Sequence, residues 1–204
     1  MKLKPFHIIL LILTYIAVSC SGNKEKKVEN HWPNAGITYE IFIQSFYDSN
    51  GDGIGDINGV KKKLDHVKEL GANAIWFMPI MASPSYHKYD VTDYKSIHPD
   101  YGTMEDFKAF LDEAHKNDIK VVIDMIINHT SNKHPWFLES QKGRDNPYRD
   151  YYVWAQKDTI AAYLDKKTIT LDSDNIRQWH DPGFGEDYYY GFFYGGMPDL
   201  NFDN

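Results

Sequence analysis

Three clusters of oxygen- and nitrogen-bearing side chains are spaced for chemistry. The first is Asp48-Ser49-Asn50-Gly51-Asp52-Gly53-Ile54-Gly55-Asp56. Oxygen side chains fall at positions 1, 3, 5 and 9 of this run, and a glycine at position 6 allows a sharp turn. Ile54 at position 7 can offer its backbone carbonyl, which suits a hard cation such as calcium that takes six to eight oxygens. A helix-loop-helix calcium site would carry Glu at position 12, where Gly59 stands, so the loop is calcium-like and not an EF-hand. The same residues also suit an Asx-turn loop held by its own side chains. The second cluster is Tyr86-His87-Lys88-Tyr89-Asp90-Val91-Thr92-Asp93-Tyr94. The third is Asp124, with Asn128 and His129 just beyond it. An aspartate among Val and Ile is costly to bury without partners, so Asp124 is either tied by structural hydrogen bonds or part of a polar site.

These clusters need elements to position them. Residues 37–46 are rich in β-branched and aromatic side chains and read as a strand. Ile57, Val60, Leu64, Val67 and Leu70 recur at helical spacing, with Gly71 as a stop signal. Residues 74–80 read as a second strand. Thr103, with Asp106 three residues on, forms a variant capping box for a helix with Phe107, Phe110, Leu111 and Ala114 on its apolar face. Residues 120–127 read as a third strand, apolar on both faces as buried parallel strands are. Alternation along it predicts Asp124, Ile126 and Asn128 on one side. Strand, helix, strand, helix, strand means crossover connections and a parallel sheet, with all three clusters following strands at its ligand-binding end. Beyond Asn128 the rhythm stops. Residues 129–204 are rich in Trp, Tyr, Asp, Asn and Gly, with a short strand expected at 167–171, and so long an irregular stretch is usually functional.

Composition bounds what such a chain can do. Its 204 residues carry 22 Lys plus Arg against 29 Asp plus Glu, a net charge of −7, which argues against phosphate-backbone binding to nucleic acid. A single cysteine excludes an intramolecular disulfide and a multi-thiolate metal site. That cysteine, Cys20, closes Ala17-Val18-Ser19-Cys20 after a two-lysine start and the apolar run 5–18, which is too short to span a membrane as a helix. The pattern resembles a bacterial lipoprotein signal. It implies removal of residues 1–19, a lipid anchor through Cys20, a polar tether over 20–35, and a protein held at a membrane on the periplasmic or cell-surface side.

Asp124-Met125-Ile126-Ile127-Asn128-His129 resembles the first signature region of the α-amylase family of glycoside hydrolases, and Met197-Pro198-Asp199-Leu200-Asn201 resembles the motif that closes that family's inserted domain. Tyr39 to Asp56 and Tyr86 to Tyr94 are similar to further family segments. The resemblance implies an α/β fold, a (β/α)8 TIM barrel of which residues 36–129 would supply the first three strands, with 130–204 as the inserted domain B. It implies a retaining enzyme acting on α-glucosidic bonds of starch and maltooligosaccharides. His87, Tyr89 and His129 then match residues that contact the sugar being cleaved, and Asp48, Asn50, Asp52, Ile54 and Asp56 match a calcium loop found in part of the family. Members cleaving short α-1,6-linked sugars carry an aspartate where Tyr86 stands, which argues for a longer glucan. Such rings as Tyr148, Tyr152, Trp154, Tyr189 and Phe193 are expected mostly to pack the insert, a minority touching sugar. Retaining hydrolysis needs two carboxylates, which the family places on later strands than the third. No residue here matches them, so the nucleophile and the general acid are expected beyond Asn204. The chain is then expected to be the inactive N-terminal part of a longer enzyme. The alternative is a non-catalytic, surface-held glucan-binding lipoprotein.

Overall fold

The computed structural model describes residues 36–164 and 178–204. The expected signal, Cys20 and tether, and the strand expected at 167–171, lie outside the described residues. In chain order the first elements are β1 (Ile37–Ile41), α1 (Ile57–Lys62), α2 (Leu64–Glu69), β2 (Ala72–Phe77), β3 (Met81–Ala82), β4 (Asp93–Ile97), α3 (Met104–Lys116) and β5 (Lys120–Ile123). Strands β1, β2 and β5 form a parallel sheet in the order β1-β2-β5, while β3 and β4 make a small antiparallel pair. Ile41, Phe77 and Ile123 share one register row. They face the helices, with the Phe77 and Phe110 ring centroids 5.1 Å apart. Ile57, Val60, Ile75, Phe77, Phe110 and Ala114 are all fully buried in this core.

The capping box forms as expected. Thr103 Oγ1 accepts from the Asp106 N–H at 3.1 Å, and the Asp106 carboxylate accepts from the Thr103 N–H at 2.8 Å. Four boundaries differ from the expectation, and one of them is the second strand, which runs Ala72–Phe77 instead of 74–80. The first strand stops at Ile41 because residues 43–45 wind into a 3₁₀ turn and the following loop takes their hydrogen bonds, Gly55 N–H donating to Gln44 O at 2.8 Å. The expected single helix over 57–70 is two, broken where the Lys63 N–H bonds Val60 O three residues back. The third strand stops at Ile123, four residues early, because the Tyr94 hydroxyl captures the carbonyls of Ile126 and His129 at 2.8 and 3.0 Å. Alternation therefore fails beyond it: Ile126 enters the core while Asn128 is exposed. Nor is this strand buried on both faces. The row Glu40, Trp76, Val122 points away from the helices, and Val122 is 48% exposed.

The later residues contribute α4 (Pro135–Ser140), β6 (Trp154–Gln156), α5 (Lys157–Leu164), β7 (Trp179–His180) and β8 (Asp187–Tyr190), with a three-stranded antiparallel sheet in the order β6-β8-β7. Phe137, Tyr152 and Tyr189 form a second core, with Trp154 and Leu200 against it. Arg144 and Arg149 both bind Asp187, and the Arg149 guanidinium lies 3.8 Å from the Trp154 ring centroid. The segment leaves and rejoins the sheet at one place: His129 bridges Asp199 and Tyr152 bridges Leu200, while Leu200 N–H donates to Asn128 O at 2.8 Å.

Candidate saccharide site

The loop after β2 and β3 is organised around Asp90, which is 3% exposed. Ser83 Oγ donates to Asp90 Oδ1 at 2.6 Å, Ser85 Oγ donates to the same oxygen, and Tyr194 of the inserted segment reaches Asp90 Oδ2 at 3.5 Å. These bonds turn the chain so that the Tyr89 N–H donates to His87 Nδ1 at 3.1 Å. With Nδ1 an acceptor, the hydrogen-bond pattern assigns the proton of a neutral His87 to Nε2. Tyr89 donates its hydroxyl to Asp124 Oδ2 at 3.0 Å, and Trp76 Nε1 donates to Asp124 Oδ1 at 2.7 Å. Asp124 is thus both structurally partnered and part of the polar end of the sheet. Burial, then the bond to Asp124, pushes the Tyr89 hydroxyl up to about 12, so it stays protonated.

His87, Tyr89 and His129 line one cavity of about 280 Å³ together with Phe193 and Met197. The three expected sugar-facing residues therefore meet, although His129 lies some forty positions from the other two in sequence. His129 is 4% exposed. Its Nδ1 faces the Asn128 amide at 3.3 Å, which assigns its proton also to Nε2; that buried atom makes no full hydrogen bond among the described residues, although the Tyr89 backbone lies near enough to favour a proton on the ring. Burial holds the imidazole below its ordinary range, against the pull of Asp199. Burial likewise raises the Asp199 carboxyl, against the Phe192 N–H, Asn128 and His129. The site thus offers two imidazole N–H donors, a phenol ring and an apolar wall, matching a neutral sugar's hydroxyls and C–H faces.

Sequence reasoning missed the supports Ser83 and Ser85 and the wall residue Met197. The serines act through a turn whose geometry no spacing rule shows, and an apolar wall has no chemical signature. Of the named rings, Tyr152, Trp154 and Tyr189 pack the second core, whereas Phe193 lines the cavity, its ring centroid 5.2 Å from that of His129.

The calcium-like loop is built differently. Asp48 accepts from the N–H groups of Asn50, Gly51 and Gly53, and Asp52 from that of Ile54. Asp56 is turned away to cap α1, bonding the Ser49 and Gly59 N–H groups at 2.8 and 2.7 Å. Among the described residues no three His, Cys, Asp or Glu side chains converge as a metal site. The donors that share the turn are Asp48, Asn50 and Asp52, with the Ile54 backbone beside them. This part of the set fits a hard cation by chemistry, and Asp56 does not fit as placed.

Polar groups at the carboxyl ends of parallel strands, beside the antiparallel sheet β6-β8-β7, place the protein among α/β proteins, which bind ligands at that edge. Residues 40–204 match the alpha amylase catalytic domain, and the chain belongs to that family of glycoside hydrolases acting on α-glucosidic bonds. It is 45% identical over 204 residues to alpha-amylase 3 of Dictyoglomus thermophilum, covering 100% of this chain and 38% of that protein. It is 43% identical over 178 residues to an oligo-1,6-glucosidase of Parageobacillus thermoglucosidasius, covering 87% of this chain and 31% of that protein. The crystal structure of an alpha-amylase from H. orenii superposes with a TM-score of 0.74 at 52% identity, covering 85% of this chain and 35% of that one. The chain thus spans about a third of the length of these relatives. Its sheet β1-β2-β5 is the first part of a (β/α)8 barrel.

Proposed function

We propose that these residues form the substrate-binding part of a site that cleaves α-glucosidic bonds in starch and maltooligosaccharides. One observation carries the reading: His87, Tyr89 and His129 converge on a single cavity in which the buried His129 Nε2–H makes no full hydrogen bond among the described residues. A sugar oxygen would satisfy that donor, and the Tyr89 and Phe193 rings would take apolar sugar faces. Tyr86, 64% exposed, puts no carboxylate beside the cavity, which favours longer glucans over short α-1,6-linked sugars. Retaining hydrolysis needs two carboxylates about 5–5.5 Å apart, one acting as nucleophile. The nearby acids Asp90, Asp124 and Asp199 are each held by hydrogen bonds to other groups. In this reading the nucleophile and the general acid belong to barrel strands that would follow Asn204. The described residues would then supply glucan binding and not the reacting carboxylates. Titration calorimetry should show maltohexaose binding that His129→Ala abolishes. Failure of the folded chain to bind it, or release of reducing sugar from amylose, overturns the reading.

Calcium would be held by Asp48, Asn50, Asp52 and the Ile54 carbonyl, where it would tie the loop to one geometry and take no part in bond cleavage. A chelator should then lower the melting temperature and added calcium restore it; an unchanged melting curve removes the metal. The anchor would be a lipid on Cys20, holding the protein at a bacterial membrane on its periplasmic or outer side. Expressed in bacteria with labelled palmitate, the chain should incorporate label and Cys20→Ser should not; an unlabelled wild-type chain refutes the anchor.

A further inference from the structure

Lys88 stands between the two sugar-facing rings His87 and Tyr89, and two unfavourable features meet at it. Its backbone has φ +64°, the left-handed region where glycine is the ordinary occupant and a long unbranched side chain gains nothing locally. It is also only 5% exposed, so a cation is buried with little water around it. The ammonium is not unpartnered. Nζ donates to Ser85 O at 2.8 Å and lies 5.6 Å from the Tyr101 ring centroid, while Asp90 and Asp100 favour its charge against the effect of burial. The Lys88 N–H donates to Ser85 Oγ at 3.2 Å. Head and backbone of one residue thus close on the same serine, whose hydroxyl also binds Asp90 and lies 3.2 Å from His87 Nδ1. Strain of this kind persists where the surroundings over-determine it, and it clusters at functional sites.

We propose that Lys88 is a positioning residue for the saccharide site: its buried ammonium clamps the Ser85 carbonyl and so holds the left-handed turn that aims the Tyr89 N–H at His87 Nδ1. That bond keeps the His87 proton on Nε2 and sets the mutual angle of the two rings, whose centroids are 6.0 Å apart. Glycine would adopt the same backbone without strain, so the turn alone does not call for a lysine. The side chain supplies the clamp. The inference takes its ligand from the proposed function but its geometry from the loop alone.

The test uses the full chain carrying Lys88→Gly, which removes both strain and clamp, Lys88→Met, which keeps the apolar stem without the charge, and Lys88→Arg, which keeps a donor for the same carbonyl. Two readouts apply: maltohexaose affinity by calorimetry, and the His87 tautomer from imidazole ¹⁵N shifts at neutral pH. Lys88→Gly and Lys88→Met should weaken maltohexaose binding about tenfold, as a loosened supporting shell does. Both should replace the single Nε2–H signature of His87 with a tautomer mixture, and Lys88→Arg should recover most of each effect. Unchanged affinity and an unchanged tautomer in folded Lys88→Gly overturn the proposal, as does loss of folding in both Gly and Met variants, which would make the role structural. A wild-type chain that binds no maltohexaose refutes the sugar reading instead, and the tautomer then decides the role of Lys88 by itself.

Discussion

The loops at 48–56 and 83–90 both lie beyond the carboxyl ends of parallel strands, β1 and β2, the second loop after the short β3, and each is organised by aspartate, yet their acids are held by different partners. In the first, the Asp48 carboxylate accepts three backbone N–H groups of its own turn, and Asp52 accepts one more. The tip of this loop, residues 50–53, is exposed, and water can replace a partner lost there. In the second, Asp90 is buried and its partners are side chains: Ser83, Ser85 and a tyrosine more than a hundred positions away. A loop closed mainly by its own backbone and its immediate neighbours in sequence needs no partner from a distant part of the chain. A loop closed by side chains is tied through Tyr194 to the far end of the sequence and can turn donors outward into a shared cavity. The difference separates a turn closed on itself, with or without a cation, from a loop that lines a cavity.

The largest expected effect tests that contrast directly. Asp90→Ala leaves the buried Ser83 hydroxyl and the half-buried Ser85 hydroxyl without their acceptor and frees the hydroxyl of the exposed Tyr194, and should destabilise the chain by about 2 kcal/mol. Asp48→Ala, in the exposed loop, should move the urea midpoint much less. Equal shifts for the two variants would erase the distinction between the loops.

A pH series separates the same regions by where each gives way. Burial lowers the pKa of His98, His129 and His134 in the folded chain. The unfolded chain then binds more protons once the pH falls below about 6.5, so stability is complete above that value and declines toward the depressed folded values. His98 and His134 each use Nδ1 to accept a backbone N–H, from Asp100 and Trp136, and protonation would break both bonds. Asp48 behaves differently: the Gly53 and Gly51 N–H groups lower its pKa, so its contribution persists until the pH drops below about 3.8. Urea midpoints should fall between pH 7.5 and 5.5, and less steeply once His129 is replaced by Asn. A midpoint that rises on acidification over that range contradicts the burial of these imidazoles.

How far the sequence discloses all this depends on the range of the interactions involved. Local rules sufficed for the capping box of Thr103 and Asp106, the apolar face with Phe110 and Ala114, and the parallel order of the three strands. The convergence of His87, Tyr89 and His129 came from resemblance, and strand topology alone supplied only their common end of the sheet. What local rules missed is held by distant partners. The third strand ends early because Tyr94 takes the Ile126 and His129 carbonyls across more than thirty positions. Tyr188, Tyr189 and Tyr190 gave no alternation of polar and apolar side chains, so the antiparallel sheet of the insert was invisible although they form most of its central strand. The buried Lys88 could not be anticipated, since nothing in its type or spacing announces a left-handed backbone.

The smallest effect isolates the backbone of the self-closed loop. Gly53 has φ +90°, and a methyl group added there would meet nothing within 4 Å. Gly53→Ala therefore introduces no clash and removes no contact, leaving the left-handed conformation as the only source of cost, about 1 kcal/mol. The turn should keep its shape because Asp48 Oδ2 holds the N–H of residue 53 at 2.8 Å, so the penalty should appear in the urea midpoint alone. Maltohexaose affinity should be unchanged, because no hydrogen bond of residue 53 reaches the loop at 83–90. If affinity falls together with stability, the two loops are coupled, and the closed turn at 48–56 belongs to the binding surface after all. If stability does not change, the loop is free to leave its left-handed form, and a turn that yields so readily could not present Asp48, Asn50 and Asp52 to a cation in one geometry.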